Sequence, residues 1–266
     1  MTSHDAAEPL SFDTSVAHPA RVYDYLLGGK DNYEADRIAA EEIVAISPSV
    51  RPTVRANRAF LARAVRFLAG EPGIRQFLDI GTGIPAADNT HQVAQRVAPD
   101  ARIVYVDNDP IVLSHAKALL KSTPEGACAY LDADLNEPGP ILAAAADTLD
   151  FSAPVAVMLL TVLQFTGAAA GDIVAELMAA CAPGSYLVIS HPASDIDAEP
   201  HTEMVRRMNE SMTQQVTLRD RAGVAALFGG LELVPPGVVR VPQWRPDTDL
   251  EAASPAVLWA GVAGKN

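Results

Sequence analysis

The stretch FLDIGTGIPAADNTH, residues 77–91, decides the fold class. An apolar run, FLDI, leads into glycines at Gly81 and Gly83, and a polar segment that can open a helix comes after them. Glycine permits a tight turn and lets a ligand approach the main chain without a side chain in the way. The stretch therefore predicts a strand, a ligand-binding loop and a helix, in that order.

Similar apolar runs continue along the chain and alternate with helical segments. They are RQFLDIG, ARIVYVD, CAYLDAD, PVAVMLLTV and SYLVISH, and after them LELVPPGVVRV and AVLWAGVAG with no helix between these last two. Five strands separated by helices indicate a parallel sheet covered on both faces. The last two runs indicate an antiparallel C-terminal hairpin. We predict an α/β fold with a mostly parallel, seven-stranded sheet.

Three helices are predicted before the first strand. The first runs from Pro19 to Leu27, the second ends before Pro48, and the third covers about residues 52–69. The chain thus divides into a mobile tail (1–17), an N-terminal helical extension (18–70) and a sheet domain (71–266).

The composition narrows the class of protein. Of 266 residues, 49% are hydrophobic and 20% charged, as in globular proteins. The net charge is −13, and nucleic-acid binding depends on basic residues, so we expect neither nucleic acid nor an anionic membrane as partner. No apolar run reaches the ~20 residues of a membrane span. The N-terminus has no secretory pattern, so we expect a cytoplasmic protein, and we expect no metal site.

Acidic side chains lie at or just after the ends of the first three strands, where ligands of an open parallel sheet bind. Asp79 precedes the glycines, and Asp107 closes the second strand. Asp107 can accept hydrogen bonds from two ribose hydroxyls, whether of NAD or of S-adenosylmethionine. Asp134 and Leu135 follow the third strand and can read the edge of an adenine, or form a plain turn.

Two further features bear on the ligand. GTGIPA has the glycine spacing of a dinucleotide-binding loop, so NAD or a flavin is an alternative ligand. Pro85 argues against a dinucleotide, because proline lacks the N–H that would bind a pyrophosphate. Asp109 precedes Pro110 and is expected to cap the next helix, which leaves Asp107 for the ribose.

The order DIGTG, VDND, DADL and a closing hairpin resembles class I S-adenosylmethionine-dependent methyltransferases, which have a Rossmann-like fold. More narrowly, RVYDYLLGGKDNYEADR, the run from FLDIGTG to HAKALL, APGSYLVISH and VPQWRPD resemble the S-adenosyl methyltransferase family of actinobacteria, formerly a domain of unknown function. The resemblance covers nearly everything from Ala20 onward and implies the fold and the methyl donor, S-adenosyl-L-methionine.

The resemblance also implies roles for individual residues. Gly81 and Gly83 pass under the donor's methionine part, and Asp79 stiffens their loop or reaches the amino group. Asp107 holds the ribose. Asn108 lies beside the adenine, and Asp134 and Leu135 read the adenine edge. Thr161 lies near the amino group and the transferring methyl group.

A helical extension containing two adjacent glycines can fold over an otherwise open site. We predict that it forms a lid in which Gly28 and Gly29 let the backbone approach the donor. Asn32 would hydrogen-bond to the donor, and Tyr25 would stack near the sulfonium. The alternative is an ordinary turn with Gly28 as a helix cap and the tyrosines in the core.

No catalytic base stands out among the six histidines. His191, after the fifth strand, and Gln164, where the family resemblance implies a histidine, are the weak candidates. His91 is interpreted as a helix residue near the glycine loop and His115 as part of a helix face.

The predicted function is methyl transfer from S-adenosylmethionine to a small-molecule acceptor by direct displacement at the methyl carbon. Alternatives are an NAD-dependent oxidoreductase, a protein that binds the donor without catalysis, and an enzyme that uses the same donor for aminocarboxypropyl transfer. No pattern in the sequence specifies an oligomeric state.

Overall fold

The computed structural model describes residues 13–112, 121–211 and 214–266. Most of the predicted tail, residues 1–12, and His115 lie outside the described residues. Within the described ranges, no helix combines the length and the apolar composition that crossing a bilayer requires.

Three helices precede the sheet, as predicted: α1 (Pro19–Leu27), α2 (Glu34–Ile46) and α3 (Val50–Gly70). Helix α1 begins with a proline, which is tolerated because an N–H in the first helical turn would have no partner within the helix. The helix ends at Gly28, which adopts the left-handed conformation (φ 89°). Helix α3 buries one apolar stripe, which includes Leu61, Val65 and Leu68.

Five parallel strands form the body of the sheet, in the order β3-β2-β1-β4-β5. Their bounds are β1 (Gln76–Ile80), β2 (Arg102–Asp107), β3 (Ala127–Asp132), β4 (Ala156–Leu160) and β5 (Tyr186–Pro192). Among the described residues, the helices between these strands are α4 (Thr90–Val97), α5 (Pro138–Ala145) and α6 (Ala170–Ala180). Helices α7 (Ala198–Ser211) and α8 (Arg221–Ala226) follow β5. The strand order reverses between β1 and β4, which is where such sheets bind ligands.

The C-terminal part is antiparallel, as predicted, but its strands are divided differently. Strand β8 (Leu258–Gly264) pairs with β5, and the short strands β6 (Glu232–Leu233) and β7 (Val239–Arg240) both pair with β8. A short helix, α9 (Asp249–Ala252), comes before β8. The sheet has eight strands, one more than predicted. Pro235 and Pro236 split the LELVPPGVVRV run, because proline donates no ladder hydrogen bond.

Alternate residues of the central strands face two separate cores. Phe77 and Met158 pack with α3 and α4 on one face, whereas Leu78 and Val157 pack with α5 and α6 on the other. A third core joins the N-terminal helices to α7. Its buried members are Val22, Leu26, Ala40, Ile43, Val54, Met204, Val205 and Val216. This third core places α1–α3 and α7 over the carboxyl ends of the strands.

Candidate active site

A cavity of about 650 Å³ lies at the carboxyl ends of the parallel strands. This volume falls within the roughly 300–1,000 Å³ typical of small-molecule sites. The strand ends contribute Asp79, Gly81, Gly83, Asp107, Asn108, Asp134, Leu135 and Thr161 to its lining. Residues from α1, α2, α3 and α7 contribute to the rest, together with residues of several loops and of β8. The structure thus brings together eight of the residues that the sequence analysis selected.

The glycine loop after β1 needs glycine at both positions. Gly81 has φ 73° and donates its N–H to the Val106 carbonyl at 2.8 Å. A Cβ there would lie 2.3 Å from the Val162 side chain. Gly83, with φ 62°, donates its N–H to Asp107 Oδ2 at 2.8 Å. The loop is therefore tied to the end of β2 by main-chain N–H groups that donate to the Val106 carbonyl and to the Asp107 carboxylate.

Asp107 holds the neighbouring backbone and keeps capacity for a ligand. Its Oδ2 accepts from Gly83 and its Oδ1 from the Asp109 N–H at 3.0 Å. A carboxylate offers about four lone-pair sites, so about two remain. Burial raises the pKa of Asp107, and the two backbone hydrogen bonds oppose that rise. Asp109 caps the next helix as predicted, since its Oδ1 accepts from the Ile111 N–H at 2.8 Å.

Asp79 is the most deeply buried acid of the cavity, with 5% of its surface exposed. The Thr90 hydroxyl donates to its Oδ2 at 2.6 Å. Burial raises the pKa of Asp79 to about 6, although the Thr90 hydrogen bond and Arg58 act in the opposite direction. The carboxyl is therefore poised to change charge close to neutral pH.

Asp134 is exposed and Leu135 is buried, side by side after β3. Asp134 Oδ1 accepts from the main chain and the side chain of Asn136, at 2.9 and 2.8 Å. The plain turn that the sequence left open is thus present, and it presents Asp134 to the cavity.

Thr161 sits in a strained backbone conformation at the end of β4. Its φ of 50° lies in the left-handed region, which is costly for a β-branched residue. The Thr161 N–H donates to the Ser190 carbonyl at 2.9 Å, and Gln164 Nε2 donates to the Thr161 carbonyl at 2.5 Å. These two hydrogen bonds hold Thr161 against the cavity.

The helical extension is fastened to the sheet through Asn57 of α3. Its Nδ2 donates to the Tyr23 hydroxyl at 3.1 Å and to Thr161 Oγ1 at 3.3 Å. Its Oδ1 accepts from the Ser190 hydroxyl at 2.7 Å, and the Tyr23 hydroxyl donates to the Val54 carbonyl at 3.2 Å. Burial raises the pKa of Tyr23, so its phenol stays neutral.

Two more contacts join the extension to the strand ends. His18 Nδ1 lies 2.8 Å from Asp109 Oδ2. Arg58 Nη2 donates to the Ala87 and Asp88 carbonyls at 2.8 and 3.1 Å. Both His18 and Arg58 line the cavity.

None of the four residues predicted to contact the donor from the Gly-Gly turn lines the cavity; they are Tyr25, Gly28, Gly29 and Asn32. The Tyr25 hydroxyl donates to Glu41 Oε1 at 2.6 Å, since the helical period turns Tyr25 toward α2 and leaves Tyr23 at the cavity. Gly28 is the helix cap of the alternative interpretation. Asn32 Nδ2 donates to Asp24 Oδ2 at 2.8 Å, and a Cβ on Gly29 would lie 1.9 Å from Asp24 Oδ1. The turn closes around Asp24.

His191, a candidate for the catalytic base, also lies away from the cavity lining. It lies within β5 rather than after it, is fully buried, and does not line the cavity. Its Nδ1 donates to the Pro192 carbonyl at 3.0 Å, and Arg219 Nη1 donates to its Nε2 at 2.6 Å. Burial, with a smaller effect of the Arg219 charge, lowers the pKa of His191 to about 4. Both ring nitrogens are occupied.

His201 is the histidine that the sequence analysis missed. It lies in α7, has 3% of its surface exposed and lines the cavity. Gln164 lines it as well, with 6% exposed. His91 is buried against Tyr105, whose hydroxyl lies 2.7 Å from the His91 Nδ1. No local pattern marks His201, because its burial comes from packing between distant elements.

This sheet order, the antiparallel strand beside β5 and the acids at the strand ends define a Rossmann-like methyltransferase fold. The model of the S-adenosyl methyltransferase family matches residues 5–266, and the chain belongs to that family. It is therefore an S-adenosylmethionine-dependent methyltransferase, and its cofactor is S-adenosyl-L-methionine rather than NAD.

Solved structures agree with this assignment. A DUF574 family protein from Streptomyces avermitilis MA-4680 is 43% identical, with a TM-score of 0.92, over 96% of this chain and 99% of that one. A protein from Thermobifida fusca YX is 42% identical, with a TM-score of 0.88, over 96% of this chain and 97% of that one. TnmH, 16% identical with a TM-score of 0.53 over 85% of this chain and 61% of its own, shares the fold alone. No curated protein matches the chain.

Proposed function

We propose that the protein methylates a small molecule by direct displacement at the donor's methyl carbon, inside the cavity at the strand ends. The observation that carries this proposal is the joint lining of one cavity by the polar strand ends and by the apolar third core. The polar part suits a nucleoside, and the apolar part suits an organic acceptor.

The residues present fit the donor. Asp107 has unused lone pairs for ribose hydroxyls, and the exposed carboxylate of Asp134 can accept from an adenine amino group. We assign Asn108 and Leu135 to the adenine, Gly81 and Gly83 to the methionine part, and Asp79 to the amino group. Thr161 lies near the amino group and the methyl in this assignment.

When bound, S-adenosylmethionine supplies an electrophilic methyl group on a positively charged sulfur. The chain's own contribution is positioning and exclusion of water, and alignment of reactants can supply roughly 7–11 kcal/mol of a bimolecular barrier. Val22, Leu26, Ile43, Val54 and Met204 give the cavity an apolar wall. An apolar wall does not oppose a reaction in which the sulfur loses its charge.

We further propose that residues 18–70 act as a lid on the donor site, through α1 and α3 rather than through the Gly-Gly turn. Asn57, His18 and Arg58 support this role, because each lines the cavity and hydrogen-bonds or pairs with a residue at a strand end.

Ligand binding tests the proposal directly. We expect S-adenosylhomocysteine to raise the melting temperature of the protein and NAD to leave it unchanged. Asp107→Ala should weaken S-adenosylhomocysteine binding by about 1.5–3 kcal/mol, roughly 10- to 150-fold in Kd by calorimetry, because hydrogen bonds to a charged group are lost.

Asp132→Ala is the matched control, since Asp132 is an exposed acid at the end of the adjacent strand and does not line the cavity. An Asp107→Ala protein with the Kd of the unaltered protein would place the ribose elsewhere and contradict the assignment.

A further inference from the structure

Two buried side chains of the cavity each keep a hydrogen-bond acceptor without a protein partner. Among the described residues, neither Gln164 Oε1 nor His201 Nδ1 has a hydrogen-bond partner. Both side chains are more than nine-tenths buried, and both residues line the cavity. A buried polar atom left unsatisfied costs about 1–3 kcal/mol, so such atoms in a folded protein need an explanation.

The chemical role of the Gln164 amide is fixed by its neighbours. Its Nε2 donates to the Thr161 carbonyl at 2.5 Å, so the other end of the amide is the oxygen. The main-chain carbonyl of Gln164 accepts from the Thr217 N–H at 2.9 Å, which also anchors the residue. Oε1 is therefore an acceptor held in place at the cavity.

The state of the His201 ring follows from its surroundings. Burial lowers the pKa of His201, so the imidazole is neutral at pH 7. A hydrogen bond with the Ala193 backbone and the charge of Asp197 both act to raise the pKa, so the ring donates that hydrogen bond to the carbonyl. We assign the hydrogen to Nε2, since Nδ1 has no partner among the described residues, and Nδ1 then presents a lone pair.

The surroundings of the two residues are apolar. Phe165, next to Gln164 in the chain, and Met204 and Val205, on the same helix as His201, line the cavity and belong to the third core. A molecule that satisfies either acceptor must bring a hydrogen-bond donor on a largely apolar body.

We propose that Gln164 Oε1 and His201 Nδ1 bind the methyl acceptor, which is a neutral, largely apolar molecule whose methylated atom is a hydroxyl oxygen or an N–H nitrogen. His201 takes the proton from that atom. The oxygen or nitrogen forms its bond to the methyl carbon while the bond from that carbon to sulfur breaks and its electron pair stays on sulfur. The products are the methylated acceptor, neutral S-adenosylhomocysteine and an imidazolium that returns its proton to water. This inference rests on the proposed function.

Binding of paired probes to the protein saturated with S-adenosylhomocysteine tests the inference. One pair, 2-naphthol and naphthalene, differs by a hydroxyl, and the other, carbazole and fluorene, by a ring N–H. We expect the protein to bind at least one hydrogen-bearing probe about tenfold more tightly than its partner. The pair that shows this ratio identifies oxygen or nitrogen as the methylated atom.

Apolar substitutions should abolish the preference. Gln164→Met and His201→Phe are each expected to reduce the ratio at least threefold, and His201→Phe is expected to bind S-adenosylhomocysteine with unchanged Kd. Gln243→Met is the control, because Gln243 is exposed and lies outside the cavity lining. Since either substitution tests the inference, one variant that fails to fold leaves the other.

The outcomes distinguish a failure of this inference from a failure of the proposed function. Equal binding within both probe pairs overturns this inference, and so does a binding ratio that is unchanged in both variants. If the protein still binds S-adenosylhomocysteine, the proposed function is unaffected by either result. Failure of S-adenosylhomocysteine to bind the unaltered protein overturns the proposed function and this inference together. Where a probe is methylated, the rate should rise with pH through the pKa of His201, below its usual 6.5, and His201→Phe should remove that rise.

Discussion

Asp79 is a buried acid whose pKa lies close to neutral pH, and it precedes the loop that we assign to the donor's methionine part. Its pKa of about 6 is a folded-state value raised above the usual 3.8 by burial. Ionising this carboxyl therefore costs the folded protein stability as pH rises from about 4 through 6. A bound ammonium group would offset that cost, because it favours the ionised carboxylate.

Donor binding should consequently depend on pH. We expect the affinity for S-adenosylhomocysteine to increase up to about tenfold per pH unit below pH 6 and to level off above pH 7, since binding releases the Asp79 proton. Calorimetry in buffers of different ionisation enthalpy measures the released proton. In Asp79→Asn the slope should disappear, whereas Asp100→Asn, at an exposed acid, should keep it. A slope that Asp79→Asn retains would show that another group titrates.

The strand-end acids could be selected from the sequence because each lies at a fixed place in a periodic pattern. Asp79, Asp107 and Asp134 belong to strand ends, and the carboxyl ends of parallel strands converge whatever the details of packing. His201 could not be selected in this way. Its helix is polar in composition, and the residue is buried only because α7 packs on the N-terminal helices.

Helix α3 links two parts of the protein, the N-terminal helices and the sheet. A single amide, Asn57, hydrogen-bonds to Tyr23 of α1, to Thr161 after β4 and to Ser190 of β5. No sequence rule joins four residues that lie so far apart in the chain. The same limit explains why Tyr25 does not line the cavity, because a helix can be predicted from its period while the direction it faces depends on its neighbours.

Replacing Asn57 should therefore loosen the lid. We expect Asn57→Leu to lower the free energy of unfolding by about 2–4 kcal/mol, because the hydroxyls of Tyr23, Thr161 and the fully buried Ser190 lose a partner at once. Urea denaturation gives this value, and Arg55→Leu, on the exposed side of the same helix, should change it by less than about 0.5 kcal/mol. A change of less than about 0.5 kcal/mol in Asn57→Leu would mean that the Asn57 hydrogen bonds do not contribute to stability.

At the scale of the whole molecule, the C-terminal segment holds α3 in place from the side opposite the cavity network. Trp244 is fully buried and meets the rings of Phe60 and Phe67 edge-on, with centroids 5.5 and 5.7 Å away. Arg63 donates to the Trp244 and Val241 carbonyls at 2.9 and 2.8 Å. The VPQWRPD motif, which the sequence offered only as a family resemblance, thus has a packing function.

Trp244→Ala should be strongly destabilising. We expect a loss of about 3–5 kcal/mol of unfolding free energy, the usual effect of removing a large buried aromatic side chain. Denaturant titration followed by circular dichroism measures it. Trp259→Phe is the comparison, because Trp259 is partly exposed and its Nε1 donates to Asp195 at 2.6 Å; its loss should be less than half as large. Equal losses would show that Trp244 is not the main anchor of α3.

The cavity lining begins at His18 and includes Leu258. A nascent chain emerging from the ribosome therefore lacks part of the cavity lining until Leu258 has been translated. The complete cavity, and with it any ligand contact that needs both ends of this range, can consequently form only after residue 258 has left the ribosome.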